Sequence, residues 1–215
     1  MYTVEPIATI RTPFKTKFGV PKQPNCLIEG QIIFEPKYST ADAIRGLEDY
    51  SHLWLIWLFS EVEYQEFMPT VRPPILGGNV RKGVFATRSP FRPNRLGLSS
   101  VKIKDIGEHS ITVLGADMVD KTPIIDIKPY IPGYDTHADA KMGFTYPKKE
   151  LELTFPTELL AKVPVELQAA LCSVLQSDPR PSYHTDVNRV YGFYFGEQEI
   201  KFQVATGTVT VVGVE

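Results

Sequence analysis

Up to about Asp135, apolar and polar positions alternate mostly with period two. Val101 and Ile103, then Ile111 and Val113, alternate with polar neighbours around Glu108-His109-Ser110, which predicts a hairpin with one buried face. Tyr2–Arg11 and Cys26–Phe34 are further strand candidates. Leu53–Phe59 is apolar throughout, too short for a typical helix and rich in aromatic residues. It predicts a strand buried on both faces, with Trp54 and Trp57 in the core. Helical signals are sparse before residue 155. Thr40–Gly46 predicts one short helix, with Thr40 as N-cap and Gly46 as its stop. The polar, turn-rich stretch Asp135–Lys149 predicts a linker. Beyond it, Val163–Leu175 fits an amphipathic helix with Pro164 in its first turn, stopped by Asp178-Pro179-Arg180-Pro181. From Val190 onward Tyr191, Phe193 and Phe195 alternate, then Ile200, Phe202 and Val204, then Val209 and Val211. This predicts a small antiparallel sheet of two or three strands. The pattern is therefore mainly β, followed by a small α+β C-terminal part.

Composition narrows this. With 215 residues, 43% of them hydrophobic, the chain can bury a sizeable core, and one main domain with a small appendage is expected. A net charge of -2 excludes a globally basic nucleic-acid binder, so any such contact must come from a local basic patch. Cys26 and Cys172 form no CxxC pair and predict two buried thiols in a reducing compartment. The start Met1-Tyr2-Thr3-Val4-Glu5 lacks the basic-then-apolar pattern of a signal peptide, and Leu53–Phe59 is too short to span a bilayer. A cytoplasmic protein with no membrane partner is expected.

Common catalytic signatures are missing: there is no P-loop, GxSxG or HExxH, and no GxGxxG after a strand. His52, His109, His137 and His184 lack metal-ligand spacing. Two stretches stand out. Gly83–Ser99 carries Arg88, Arg92 and Arg95 on a loop stiffened by Pro90 and Pro93, with Asn94 beside them and Gly97 before the next strand. Guanidinium forks on a stiff loop suit carboxylate or phosphate recognition; a solvated connecting loop is the plainer reading. Asp117–Tyr130 places Asp126 within the apolar run Ile124–Ile127, where an acid must be paired, protonated or functional. Lys128, two residues on, faces the same side and offers a structural ion pair as the alternative.

At these stretches the sequence resembles the TrmO family, with its TsaA-like domain, across nearly the whole chain. The resemblance rests on Thr12-Pro13-Phe14-Lys15, Phe18–Pro24, Gly46–Trp54, Arg72-Pro73-Pro74 with Gly77-Gly78-Asn79, Gly83–Ser99 and Thr122–Tyr130. Asp178-Pro179-Arg180-Pro181-Ser182-Tyr183 resembles the motif of the bacterial C-terminal domain. It implies an antiparallel β-barrel binding S-adenosylmethionine in residues 1–148, and a small α+β tRNA-contacting domain in 149–215. The implied reaction is methyl transfer to N6 of threonylcarbamoyl-adenosine beside the anticodon of threonine tRNA, by a homodimer without metal. Implied cofactor contacts are Gln23, Pro24 and Asn25, Ser60 and Glu61, Arg88, Leu98, and Leu114, Gly115, Ala116 and Asp117. Ser60-Glu61 stands where relatives often carry His-Gln, Arg95 where they often carry Pro, and Lys121 where they often carry Gly, which predicts an altered turn after Asp120.

The donor already carries its leaving group, so alignment supplies most of the catalysis. Asp126 is the expected proton acceptor or base-orienting carboxylate. Lys22, Arg72, Arg81, Arg92, Asn94, Arg95, Lys128, Tyr130 and Arg180 are the expected tRNA contacts. A noncatalytic RNA- or nucleotide-binding barrel, and a methyltransferase acting on a small molecule, are the alternatives.

Overall fold

The computed structural model describes residues 3–21, 27–63, 66–144, 150–180, 184 and 186–215. In chain order the elements are β1 (Ala8–Arg11), β2 (Glu29–Phe34), α1 (Ala41–Ile44), β3 (His52–Leu58) and the two-residue strands β4 (Thr70–Val71) and β5 (Lys82–Gly83). Then come β6 (Leu96–Ile106), β7 (Ser110–Leu114), β8 (Thr122–Pro129) and α2 (Pro132–Asp135). The C-terminal part holds β9 (Glu152–Thr154), α3 (Thr157–Leu160), α4 (Val165–Gln176), β10 (Tyr191–Phe195), β11 (Gln198–Ala205) and β12 (Thr208–Val214).

Six strands close into an antiparallel barrel in the order β1-β2-β7-β6-β3-β8. Closure is made by β1 against β8, with Ala8 opposite Ile124 and Ile10 opposite Thr122. The inward row includes Ala8, Ile10, Ile32, Leu53, Leu55 and Ile124, all fully buried, and each large apolar side chain contributes about 1.5–3 kcal/mol by leaving water. The hairpin expected around Glu108-His109-Ser110 is β6–β7, with Ile103 opposite Val113 and Ile106 opposite Ile111.

The strand read as buried on both faces is not. In β3, Leu53, Leu55 and Trp57 point inward, whereas His52, Trp54, Ile56 and Leu58 are half-buried. A closed single-layer barrel has one interior, and the outer side of β3 is only partly covered. Trp54 lies against Tyr130, with ring centroids 5.4 Å apart, and its Nε1 donates to Asp135 Oδ2 at 2.9 Å. The first strand is shorter than expected, beginning at Ala8 after Pro6, which has no N–H for a ladder. The second begins at Glu29, and Cys26 lies outside the described residues. The short helix spans Ala41–Ile44, without a side-chain cap from Thr40, and Gly46 (φ +87°) turns the chain after it.

In the C-terminal part, α4 buries Ala170, Leu171, Val174 and Leu175, one helical face. Pro164 is its N-cap rather than part of its first turn. The sheet has four strands, not two or three: β10, β11 and β12 are antiparallel, and β9 joins β12 in parallel. α3, α2 and β9 had no clear periodic signal because they are only three or four residues long.

The two parts meet through the connection between β1 and β2. Phe14 bridges to Phe195, Gly196 N donates to Pro13 O at 2.8 Å, and Lys15 pairs with Glu197 at 2.7 Å. Phe18 lies beside Tyr191 and Phe193. Gly19 (φ +96°) leaves no room for a side chain, since a Cβ there would stand 2.4 Å from the Phe193 ring. The C-terminal sheet thus anchors one of the loops at the barrel's mouth.

Candidate functional site

Strand direction brings three connections to one end of the barrel. Arg11, Leu58 and Leu114 end their strands there, and Glu29, Leu96 and Thr122 begin theirs. The connections are 12–28, 59–95 and 115–121. They carry the expected cofactor residues Ser60, Glu61, Arg88, Gly115, Ala116 and Asp117, with Leu98 and Leu114 on the adjoining strands. Lys22, Gln23, Pro24 and Asn25 lie outside the described residues.

The three connections are bound to one another. Gly115 N and Ala116 N both donate to Ile28 O, at 2.8 and 3.2 Å. Asp120 accepts from Thr12 N at 3.1 Å and from Arg11 at 3.2 Å, and its own N donates to Phe14 O at 2.7 Å. Lys121 (φ +63°) keeps the left-handed geometry a glycine would favour, and its N donates to Ile10 O at 2.8 Å. The turn after Asp120 is thus made through the backbone of Lys121, whose side chain is exposed. Lys17 Nζ donates to the carbonyl of Glu61, tying the first connection to the second.

The arginine-rich loop is partly its own scaffold. Arg95 (φ +50°) donates from its guanidinium to Val62 O at 2.8 Å, and its carbonyl accepts from Phe59 N at 2.8 Å. Arg92 donates to Thr87 O at 3.1 Å. These two guanidiniums are engaged with backbone carbonyls of their own connection, while Arg88 is exposed and acts electrostatically on Asp117. Arg72 and Asn94 are exposed, and Arg81 donates to Thr70 Oγ1 at 3.1 Å.

Below the mouth sits a buried polar chain. Trp57 Nε1 donates to Ser99 Oγ at 2.9 Å, and Ser99 Oγ donates to Asp117 Oδ1 at 2.6 Å. Ser99 is 1% exposed and Trp57 7%. Burial pushes the Asp117 carboxyl from 3.8 up to about 6, against the opposing pulls of the Ser99 hydroxyl, a bond from its own backbone and the Arg88 charge. Gly97 faces Trp57 so closely that a Cβ would stand 2.2 Å from the indole.

Asp126 is not the buried acid. Along β8, Thr122 and Ile124 point inward, and simple alternation would send Asp126 inward too. A bulge against β3 between Ile56 and Trp57 intervenes, so Ile127 pairs with the inward Leu55 and Asp126 with the outward Ile56. The Asp126 side chain is 48% exposed and lies 3.4 Å from Lys128 Nζ. Lys128 and Tyr130 lie toward the opposite end of the barrel, the Tyr130 hydroxyl 2.8 Å from Thr136 Oγ1. Arg180 is in the C-terminal part, bidentate to Asp178 at 2.9 and 3.3 Å. Ser99 and Trp57 carried no functional signal in the sequence. The nearest clue is a serine between Gly97 and Val101 on the otherwise apolar inward row of β6.

No group of three or more His, Cys, Asp or Glu side chains among the described residues could hold a metal ion, and no helix among them is long and apolar enough to cross a membrane. A closed antiparallel barrel whose mouth loops carry a half-buried carboxylate and an exposed arginine defines the class, a β-barrel protein with a polar site at one barrel end. Two family models, the tRNA-methyltransferase O N-terminal domain over residues 9–136 and the TrmO C-terminal domain over 148–215, match it, and the chain belongs to the tRNA-methyltransferase O family. It is 37% identical to the Escherichia coli K12 tRNA (adenine(37)-N6)-methyltransferase over 230 aligned residues, covering 100% of this chain and 98% of that protein. It is 39% identical to the enzyme of the same name from Eikenella corrodens, covering 77% of this chain and 97% of that one. A crystal structure of TrmO from Pseudomonas aeruginosa superposes with a TM-score of 0.82 at 28% identity, covering 100% of this chain and 99% of that one.

Proposed function

We propose that this chain methylates N6 of adenine 37 in tRNA with S-adenosylmethionine, and that its acceptor is threonylcarbamoyl-adenosine beside the anticodon of threonine tRNA. The observation that carries the reading is the gathering of Arg88, Asp117 and the 114–116 backbone at one barrel end, in a chain matched along its length by tRNA (adenine(37)-N6)-methyltransferases.

The donor set fits the cofactor. Its amino-acid carboxylate calls for a cation, which Arg88 offers, and its apolar faces suit the exposed Leu98. When bound, the group supplies an activated methyl on a sulfonium. The protein's part is to align the acceptor, exclude water and accept a proton. Arg72, Arg81 and Asn94 on the same connection are assigned to the anticodon stem-loop, whose splayed bases can enter a pocket without melting a duplex. The C-terminal part, residues 149–215, is assigned to further tRNA contacts.

The test is incubation of the protein with labelled S-adenosylmethionine and two tRNA pools, one from cells that make threonylcarbamoyl-adenosine and one from cells that do not. Label is expected only in the first pool. Label in neither, with the cofactor still bound, points instead to a small-molecule acceptor; no cofactor binding leaves a noncatalytic barrel.

We also propose a homodimer in the cytoplasm. The 59–95 connection exposes Phe67, Met68, Ile75, Val80 and Phe85, and the Phe67 and Phe85 rings stack with centroids 6.3 Å apart. So much exposed apolar surface on one loop is characteristic of an interface. Sedimentation is expected to give a dimer for the parent chain and a monomer for Phe85→Glu; a monomeric parent chain at micromolar concentration sinks this assignment.

A further inference from the structure

We propose that Asp117 takes the proton from the acceptor nitrogen as the methyl is transferred, and that Ser99 and Trp57 are the positioning residues that hold it for this role. The inference rests on the methyltransferase reading above and deepens it.

The direction of the hydrogen-bond chain is fixed by chemistry. Indole Nε1–H can only donate, so Trp57 gives its proton to Ser99 Oγ at 2.9 Å. The Ser99 hydroxyl proton is thereby turned toward Asp117 Oδ1, at 2.6 Å, the length of a hydroxyl bound to an ionised carboxylate. Both donors are buried, so neither is exchanged for water. The chain ends at Asp117, its one member able to accept a proton at neutral pH, and the Ser99 hydroxyl is bonded to Oδ1 of that carboxylate.

The environment matches the task. Burial works to protonate the carboxyl, and Ser99, its own backbone and Arg88 work to keep it ionised. The balance leaves it ionised near neutral pH yet more basic than a solvated aspartate, as a proton acceptor working there requires. Among the groups around it, Arg88 of the 59–95 connection carries the acting charge. Ser99 of β6 and Trp57 of β3 are neutral, and Asp120 in the same segment is held by Arg11 and Thr12. Asp126, by contrast, is outside the barrel and paired with Lys128.

The balance of the step is simple. The N6–CH3 bond forms as the S–CH3 bond breaks, with the breaking pair left on sulfur, and the N6 proton passes to the Asp117 carboxylate and later to water.

The test uses the full-length protein with threonylcarbamoyl-adenosine-bearing tRNA. Single-turnover transfer is followed from about pH 5 to about pH 9, S-adenosylmethionine affinity by calorimetry, and the Asp117 carboxyl by carbon NMR in the ligand-free protein. Asp117→Asn is expected to lose about 10²- to 10⁴-fold in rate at saturating S-adenosylmethionine, with any loss of cofactor affinity far smaller than the loss of rate. Ser99→Ala is expected to move both the acid limb of the rate profile and the NMR titration of Asp117 to higher pH, because a bond favouring the ionised form is gone. Ser99→Thr is expected to restore both, and Trp57→Phe to shift them in the same direction by less. An Asp117→Asn enzyme within about threefold of the parent rate overturns the proposal. So does one whose cofactor affinity falls as much as its rate, and so does a Ser99→Ala enzyme slowed equally at every pH with its Asp117 titration unmoved. A parent protein that methylates no tRNA overturns the methyltransferase reading itself, and this inference with it.

Discussion

Replacing Gly97 by alanine is expected to destabilise the barrel by about 3 kcal/mol, the upper part of the range for overpacking a filled interior. The cause is steric. A Cβ at this position would meet the Trp57 ring at 2.2–2.6 Å, and a rigid indole cannot yield by a small rotation as the end of a flexible chain could. Phe59 blocks one line of retreat, its ring centroid 4.3 Å from that of Trp57. If the indole swings away, its bond to Ser99 is lost and the buried chain to Asp117 loses its first donor. Two effects are therefore expected together: a melting temperature lower by about 6–12 °C and an Asp117 titration moved upward. Denaturant unfolding and Trp57 fluorescence measure the first. A variant within about 0.5 kcal/mol of the parent, the range of a neutral surface change, would mean that strand β6 moves freely enough to admit the methyl group.

Much of the barrel was legible because its strands are half-buried and therefore alternate. β6 and β7 show it, with Val101, Ile111 and Val113 all inward. Continuous apolarity misled for β3, since Trp54, Ile56 and Leu58 look like a second buried face but sit on the outside under the partial cover of residues near Tyr130 and Asp135. Closure itself was beyond local pattern, because β1 and β8 pair across more than a hundred residues. The site divides in the same way. The loops were marked by prolines, glycines and arginines, and topology brings their described residues to one end. Which acid is buried was not marked. A bulge opposite Ile56 turns Asp126 out of an apolar strand, whereas Asp117, on a loop after Gly115-Ala116, is partly covered by residues remote in sequence and bonded to one of them, Ser99. The arginines misled in part, because Arg92 and Arg95 use guanidinium donors to brace their own loop.

Asp117→Asn is expected to stabilise the ligand-free protein at neutral and alkaline pH, by up to about 3 kcal/mol, while abolishing most of its turnover. The carboxyl titrates near 3.8 in an open chain and at about 6 in the fold. The folded state therefore holds the proton more tightly than the unfolded state does. Below about pH 4 both states are protonated and the site carries no ionisation penalty. As pH rises from about 4 to about 6 the unfolded state ionises first, and the folded protein loses stability relative to it. Above about pH 6 the loss is complete, and the gap between the two values corresponds to about 3 kcal/mol. Asparagine is never ionised, yet its carbonyl oxygen can still accept from Ser99. The stability difference between variant and parent is thus expected to be near zero at about pH 4, to grow through about pH 6 and then to level off. Denaturant unfolding at a series of pH values measures it. A difference independent of pH, or a variant less stable than the parent at about pH 8, would show that Asp117 is a structural acceptor whose charge is compensated within the fold. Stabilisation with loss of turnover is the opposite of what removing a structural residue does, and it is the signature of a carboxylate held partly desolvated for its chemistry.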